Sequence, residues 1–253
     1  MKLYFLHIIV LLIIFSTSLI FADVNSIMQQ GNTYYKNNQY QLAVDEYNKL
    51  IEQGYEGVSI FYNLGNAHYR LGHIGFAILY YEKALKLSPG DEDLKHNLAV
   101  ANRSIKDKVD TLPPFFIFNI WEDLLASFST SGWTIVAYII FILLLFCIIA
   151  YFFSRNVNQQ RISFFSAIGT GIILILVIVL LTVKINKEFK IKDAIILDST
   201  VMVKSSPDSA SKDEFVVHEG LKVRIEDNID NWFKIRLADG KIGWVTVKSV
   251  GQI

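Results

Sequence analysis

The sequence is poor in residues that carry covalent or metal chemistry. Of 253 residues, one is cysteine and four are proline. The lone Cys147 excludes an intramolecular disulfide, so the fold does not depend on an oxidising compartment. Its neighbours Phe146 and Ile148 are apolar, and a reactive thiolate needs wet, electropositive surroundings. The five histidines, His7, His68, His73, His96 and His218, stand at no metal-ligand spacing, and no HExxH occurs. Phosphate loops, dinucleotide-binding glycine fingerprints and GxSxG turns are also missing. The expectation is a protein that is not an enzyme, with no catalytic residue, cofactor or metal. With 24 basic and 24 acidic side chains there is no basic excess to hold nucleic acid.

Charge is missing altogether from two long runs, residues 133–153 and 163–183. Each has about the 20 residues that a helix needs to cross a bilayer core of roughly 30 Å. Only the polar stretch 154–162 separates them. The pattern predicts a two-helix transmembrane hairpin and so a contact with membrane lipid. Without an ionisable group the runs offer no ion or proton path. Gly169 and Gly171 fit close packing between the two helices.

The N-terminus, residues 1–22, has a lysine, an apolar stretch and small residues before Ala22. That order predicts a secretory signal peptide, although Ile20 is bulky for a cleavage site and the run is also long enough to remain as a membrane anchor. Export of the segment that follows makes the loop with Arg155 and Arg161 cytoplasmic, in line with the positive-inside tendency. Lys184, Lys187, Lys190 and Lys192 then lie outside, against that tendency. The expected localisation is the inner membrane, multi-pass, with both flanking domains facing the periplasm.

Residues 23–110 contain an internal repeat. Gly31-Asn-Thr-Tyr-Tyr aligns with Gly65-Asn-Ala-His-Tyr at an offset of 34, and the match continues through Ala43 with Ala77 and Tyr47 with Tyr81. The period is that of a helix–turn–helix unit. Gly65 and Ala77 allow close helix approach, while Leu64, Tyr81 and Ala84 recur at helical spacing. Pro89 ends the second helix, and Asp91 can cap the next. Units at 24–57 and 58–91 and a capping helix at 92–110 follow. The segment resembles the tetratricopeptide repeat family, which implies all-α helical repeats with a concave groove for proteins. Register places Asn32, Tyr35, Lys36, Tyr62, Asn66, Tyr69 and Arg70 on that groove. Family members that clamp a C-terminal carboxylate use asparagines like Asn32 and Asn63. Their basic residues are here Met28, Asp93 and Asn97, a departure from the clamp.

Residues 111–132 join the repeats to the hairpin. Pro113-Pro114 predicts an extended linker, and the aromatic-rich remainder predicts a short helix lying in the membrane interface. Trp121 and Trp133 suit the boundary with water.

After residue 191 the pattern changes to short alternating runs at 194–197, 201–204, 215–218, 221–226, 231–237 and 241–247. Ser205–Ser209, Glu219-Gly220, Asp227-Asn228 and Asp239-Gly240 supply turn residues. Five or six such strands predict a small, closed or nearly closed barrel. The runs Asn231-Trp232-Phe-Lys-Ile and Asp239-Gly240-Lys-Ile-Gly243-Trp244-Val245 resemble the bacterial SH3 domain. The resemblance implies an all-β SH3-like barrel at 191–253 that binds peptidoglycan peptides or proteins, with Trp232 and Trp244 as an aromatic ligand surface. The alternative is that one or both tryptophans belong to the core, a reading that for Trp232 is the preferred one.

The whole order of parts, a multidomain membrane protein with signal, repeats, hairpin and SH3-like domain, resembles the BatE proteins of the bacterial aerotolerance operon. That resemblance implies a non-enzymatic scaffold working beside von Willebrand factor A-type membrane proteins in a cell-envelope complex. A cell-wall tether that binds peptidoglycan is the alternative.

Overall fold

The computed structural model describes residues 24–107, 116–190 and 192–253. The expected signal peptide, the Pro113-Pro114 linker and the end of the expected capping helix (108–110) lie outside the described residues.

Five helices form the repeat stack: α1 (24–36), α2 (Tyr40–Glu52), α3 (Val58–Leu71), α4 (Ile74–Leu87) and α5 (Glu92–Asn102). The two hairpins turn at equivalent places, Asn38 with φ 59° and Gly72 with φ 80°. Both adopt the left-handed conformation that asparagine and glycine tolerate. Helix α4 ends at Leu87, just ahead of Pro89, as the sequence predicts. The Asp91 carboxylate accepts from the Asp93 and Leu94 N–H groups at 3.0 and 3.1 Å and caps α5. The signature glycines have a more specific use than general closeness. A Cβ on Gly31 would sit 2.4 Å from the Tyr47 ring, and one on Gly65 would sit 2.6 Å from the Tyr81 ring. Each glycine is a seat for the tyrosine of its own repeat.

The C-terminal region has seven strands: β1 (Lys192–Ile196), β2 (Thr200–Lys204), β3 (Asp213–His218), β4 (Lys222–Ile229), β5 (Trp232–Arg236), β6 (Ile242–Thr246) and β7 (Val250–Gln252). All six expected strands form, and β7 is additional. Asp227-Asn228 is not a turn. It lies inside β4, which bulges between Ile225 and Asp227, and the reversal falls at Asp230, where φ is 47°. The Asp239-Gly240 turn forms as expected, with Gly240 at φ 91°. One antiparallel sheet results, in the order β3-β2-β6-β5-β4-β1-β7. Of the expected closed or nearly closed barrel, closure is not seen: β3 and β7 are the edges of an open sheet. Strand β7 is short and lies against α4, where a Cβ on Gly251 would come within 2.4 Å of Leu79. All seven strands still contribute to one core, through residues such as Ala194, Val203, Val217, Val223, Ile235, Val245 and Val250.

The sheet docks directly on the repeat stack. Strand β1 is buried on both faces: Ala194 and Ile196 enter the sheet core, whereas Ile195 enters the helical core beside Ile78 and Leu79. A Cβ on Gly75 would sit 2.7 Å from the Ile196 carbonyl oxygen, so helix and strand meet backbone to backbone. The Gly75 N–H also donates to the Glu219 carboxylate at 3.3 Å. At the periphery Lys222 pairs with Glu82 at 2.9 Å, and His218 Nδ1 lies 2.8 Å from Asp107. The repeat alignment shows why this helix is the one used. Gly75 and Leu79 of α4 replace the exposed Gln41 and Asp45 of α2.

Between the two domains run α6 (Phe116–Ala126), α7 (Thr130–Phe153) and α8 (Val157–Lys190). Helices α7 and α8 are long and apolar enough to cross a membrane. Their apolar side chains face outward, for example Phe146 at 67% and Phe153 at 82% exposed. The expected polar loop 154–162 is much shorter, because α8 already starts at Val157. Helix α6 folds back on the pair. Leu125 O accepts from Trp133 Nε1 at 3.3 Å and from Lys184 Nζ at 3.0 Å, and Glu122 pairs with Lys187. Trp133 is therefore buried against α6 rather than placed at an open boundary. Ile117, Ile120, Trp121 and Leu124 are exposed on α6.

If α4 is the hinge of the assembly, Leu79→Asp, which restores the residue of the first repeat, separates the domains. The expected result is replacement of one cooperative thermal transition by two, with a cost of about 3 kcal/mol. A single unshifted transition would show that the contact carries no stability.

Candidate protein-docking site

The first helices α1, α3 and α5 lie side by side, stitched by a motif that repeats with the sequence. Asn32 Oδ1 accepts from the Tyr47 hydroxyl at 2.8 Å and from Asn63 Nδ2 at 3.0 Å. One period later Asn66 Oδ1 accepts from the Tyr81 hydroxyl at 2.7 Å and from Asn97 Nδ2 at 3.2 Å. Burial pushes the Tyr47 phenol up to about 12 and raises that of Tyr81 further, so both remain neutral donors. Asn32 and Asn66 thus hold the stack together with one oxygen each. Asn63, a clamp-type position by sequence, is spent on Asn32 rather than on a ligand.

Of the predicted groove residues, Tyr35, Asn66, Tyr69 and Arg70 line one cavity of about 190 Å³, with Tyr81, Asn97 and Val100 completing it. Tyr62 flanks it, its hydroxyl oxygen accepting from Asn97 Nδ2 at 3.3 Å. Asn32 and Lys36 are not among its lining residues, and Lys36 is exposed at the end of α1. Arg70 is oriented by Tyr40: its guanidinium lies 5.0 Å from the ring centroid and donates to the hydroxyl oxygen. That uses one of five N–H donors. Burial raises the Tyr35 phenol, with Arg70 acting in the opposite direction. The contribution of α5 through Val100 was readable from the same 34-residue offset that relates Asn32 to Asn66.

On the sheet, Trp232 and Trp244 are both half-buried, and neither belongs to the core. The core positions beside them are Phe233 and Val245. The core alternative for Trp232 does not hold, because the pleat turns it to the opposite face from Phe233. Trp244 pairs with Lys234 on β5 and with Lys204 on β2, so a lysine stands on either side of it.

His68 occupies the place of Tyr34 in the first repeat. It is buried, stacked on Phe76 at 5.0 Å and on Tyr80 at 5.4 Å. Burial, with His73 beside it, pushes its pKa down to about 4. It is a packing residue. Among the described residues no group of three or more His, Cys, Asp or Glu side chains is placed to hold a metal ion.

A tetratricopeptide repeat family model matches residues 28–92. Serine/threonine-protein phosphatase T of Aspergillus oryzae is similar to this chain, 35% identical over 86 residues, which are 34% of this chain and 18% of that protein. The chain therefore spans under a fifth of that relative's length. The helical region is of tetratricopeptide type, and repeats of this type imply protein partners in general.

The His68 imidazole is neutral in the folded state and favours protonation only after unfolding. Stability is complete above about pH 6.5 and falls as the pH drops toward 4, by on the order of 3 kcal/mol. Chemical denaturation across that range tests this, and His68→Phe flattens the dependence.

Proposed function

We propose that this protein is a non-enzymatic, membrane-anchored scaffold of the cell envelope. Helices α7 and α8 cross the membrane as a hairpin, α6 lies in the interface, and both domains face the periplasm. The observation that carries the reading is the position of the sheet on the repeat stack. Its strands pack chiefly on α4, and the cavity between α1, α3 and α5 has no strand residue in its lining. A docking groove kept open beside a membrane hairpin is the arrangement a recruiting scaffold needs. The resemblance to BatE proteins of the aerotolerance operon points to von Willebrand factor A-type membrane proteins as partners and to a stress-related complex.

A second reading is a cell-wall tether, in which the sheet acts as an SH3-like domain that binds peptidoglycan. It is favoured by the shared outward face of Trp232 and Trp244 and by Lys204 and Lys234 beside Trp244.

Crosslinking in intact membranes followed by mild detergent extraction separates the readings. The scaffold reading, in which groove and SH3-like domain both recruit, expects recovery of defined protein partners, reduced by Tyr69→Ala in the groove. Recovery of monomer alone contradicts it. Retention of the detergent-extracted full chain on purified sacculi, lost on Trp244→Ala, supports the tether. A reporter fused after Ile253 must be active on the periplasmic side, and cytoplasmic activity overturns the topology.

A further inference from the structure

The groove helices carry a charge pattern that narrows the partner. Helices α1 and α3, the first helices of the two repeats, and the capping helix α5 run parallel and are held adjacent by the Asn63–Asn32 and Asn97–Asn66 hydrogen bonds. Their C-terminal ends therefore lie along one edge of the groove. Lys36 ends α1, Arg70 is next to last in α3, and Arg103 is the C-cap of α5. All three are exposed. In the repeat register Lys36 and Arg70 are equivalent, whereas Arg103 falls one position earlier, at the place of Tyr69, and still belongs to the same helix end.

The groove-facing positions of the three helices are 28, 32, 35 and 36, then 62, 66, 69 and 70, then 96, 100, 103 and 104. None is Asp or Glu. The acidic residues of α5, Glu92 and Asp93, belong to its first turn, at the end remote from Arg103, and Glu92 is paired with Lys95 at 2.9 Å. Behind the basic edge lies the cavity walled by Tyr35, Tyr69 and Tyr81, with the Arg70 guanidinium at its rim. Cations at helix C-termini also complement the helix dipole. That effect needs no common edge and no aromatic cavity behind it.

We infer that the groove takes an acidic, extended segment of a partner protein, laid across α1, α3 and α5 with carboxylates on the Lys36–Arg70–Arg103 edge and an apolar or aromatic side chain in the tyrosine-walled cavity. This rests on the groove being the docking surface. The partner is recognised by internal Asp or Glu side chains. Asn32 and Asn63, the asparagines of a terminal-carboxylate clamp, are occupied with each other and with Tyr47.

The test uses the full chain in nanodiscs of zwitterionic lipid. The probe is a short fluorescein-labelled peptide alternating glutamate with leucine and tyrosine, amidated at its C-terminus. Its partner probe has every glutamate replaced by glutamine. Anisotropy is expected to show the glutamate peptide binding about tenfold more tightly, with the advantage shrinking as salt rises. Arg70→Gln and Arg103→Gln should each weaken it about threefold, and Arg103→Gln, outside the cavity lining, should leave the glutamine peptide unchanged. Both are exposed, so the fold is retained, and circular dichroism verifies it. Equal binding of the two peptides, competed by a Tyr69→Ala change, overturns the acidic preference and keeps the groove as a docking surface. Binding of both peptides unaffected by Tyr69→Ala overturns the groove itself, as does the absence of any binding. Binding of the glutamate peptide that is unchanged by Arg70→Gln and Arg103→Gln also overturns the proposal.

Discussion

The contact of α4 with β1 and β7 is the constraint on which the rest of the structure depends. Two repeats and one capping helix make a short stack, and a repeat unit cannot bury its apolar face alone. The sheet supplies the missing neighbour. Burying Leu79 and Ile195 contributes roughly 2–3 kcal/mol each by area, and Gly75 allows the backbones to meet without a side chain between them. The surrounding ion pairs, such as Lys222 with Glu82, are partly exposed and add little. They fix the orientation of the two bodies more than their stability.

That contact also limits what the chain between the domains can do. The base of the hairpin lies beside the docked pair, where Glu122, Leu125, Lys184 and Lys187 line one cavity with Glu82 and Lys222. Glu122 with Lys187, and Leu125 with Lys184 and Trp133, close the base of the hairpin. The two apolar helices are then held at one end by protein and expose apolar surface over the rest of their length. The groove stays clear because the sheet uses the second helix of a repeat, whereas the groove is built from the first.

Much of this was legible in the sequence. The 34-residue offset predicted the helices, the Asp91 cap and the stop at Pro89, since each depends on local chemistry. The uncharged runs predicted two long apolar helices. Six strands followed from alternation, and the short β7 escaped because three residues are too few to alternate. Closure of the sheet was over-read: alternation specifies strands and faces, whereas edge pairing depends on what else covers the edge. The same limit applies to Trp232, whose core and surface alternatives differ by a single residue of register. Asn32 and Asn66 were placed on the groove by register, and Asn66 does line the cavity, but their use inside the stack was not legible. The tyrosines that claim them lie fifteen residues away in sequence, on the other helix of the hairpin.

The docking contact itself was readable in a comparison not of families but of the two repeats with each other. Polar Gln41 and Asp45 become Gly75 and Leu79, an exposed face turned into a buried one. The run Ala194-Ile-Ile-Leu197 carries the matching sign, an unbroken apolar strand buried on both faces. The most direct measurement of the account is a crosslink across that contact in intact membranes. Cysteines at Glu82 and Lys222, in a Cys147→Ser background, should be joined within one chain by a short bifunctional maleimide, because their side chains meet at 2.9 Å. Absence of that crosslink, or its formation only between chains, would contradict a repeat stack and sheet docked as one body.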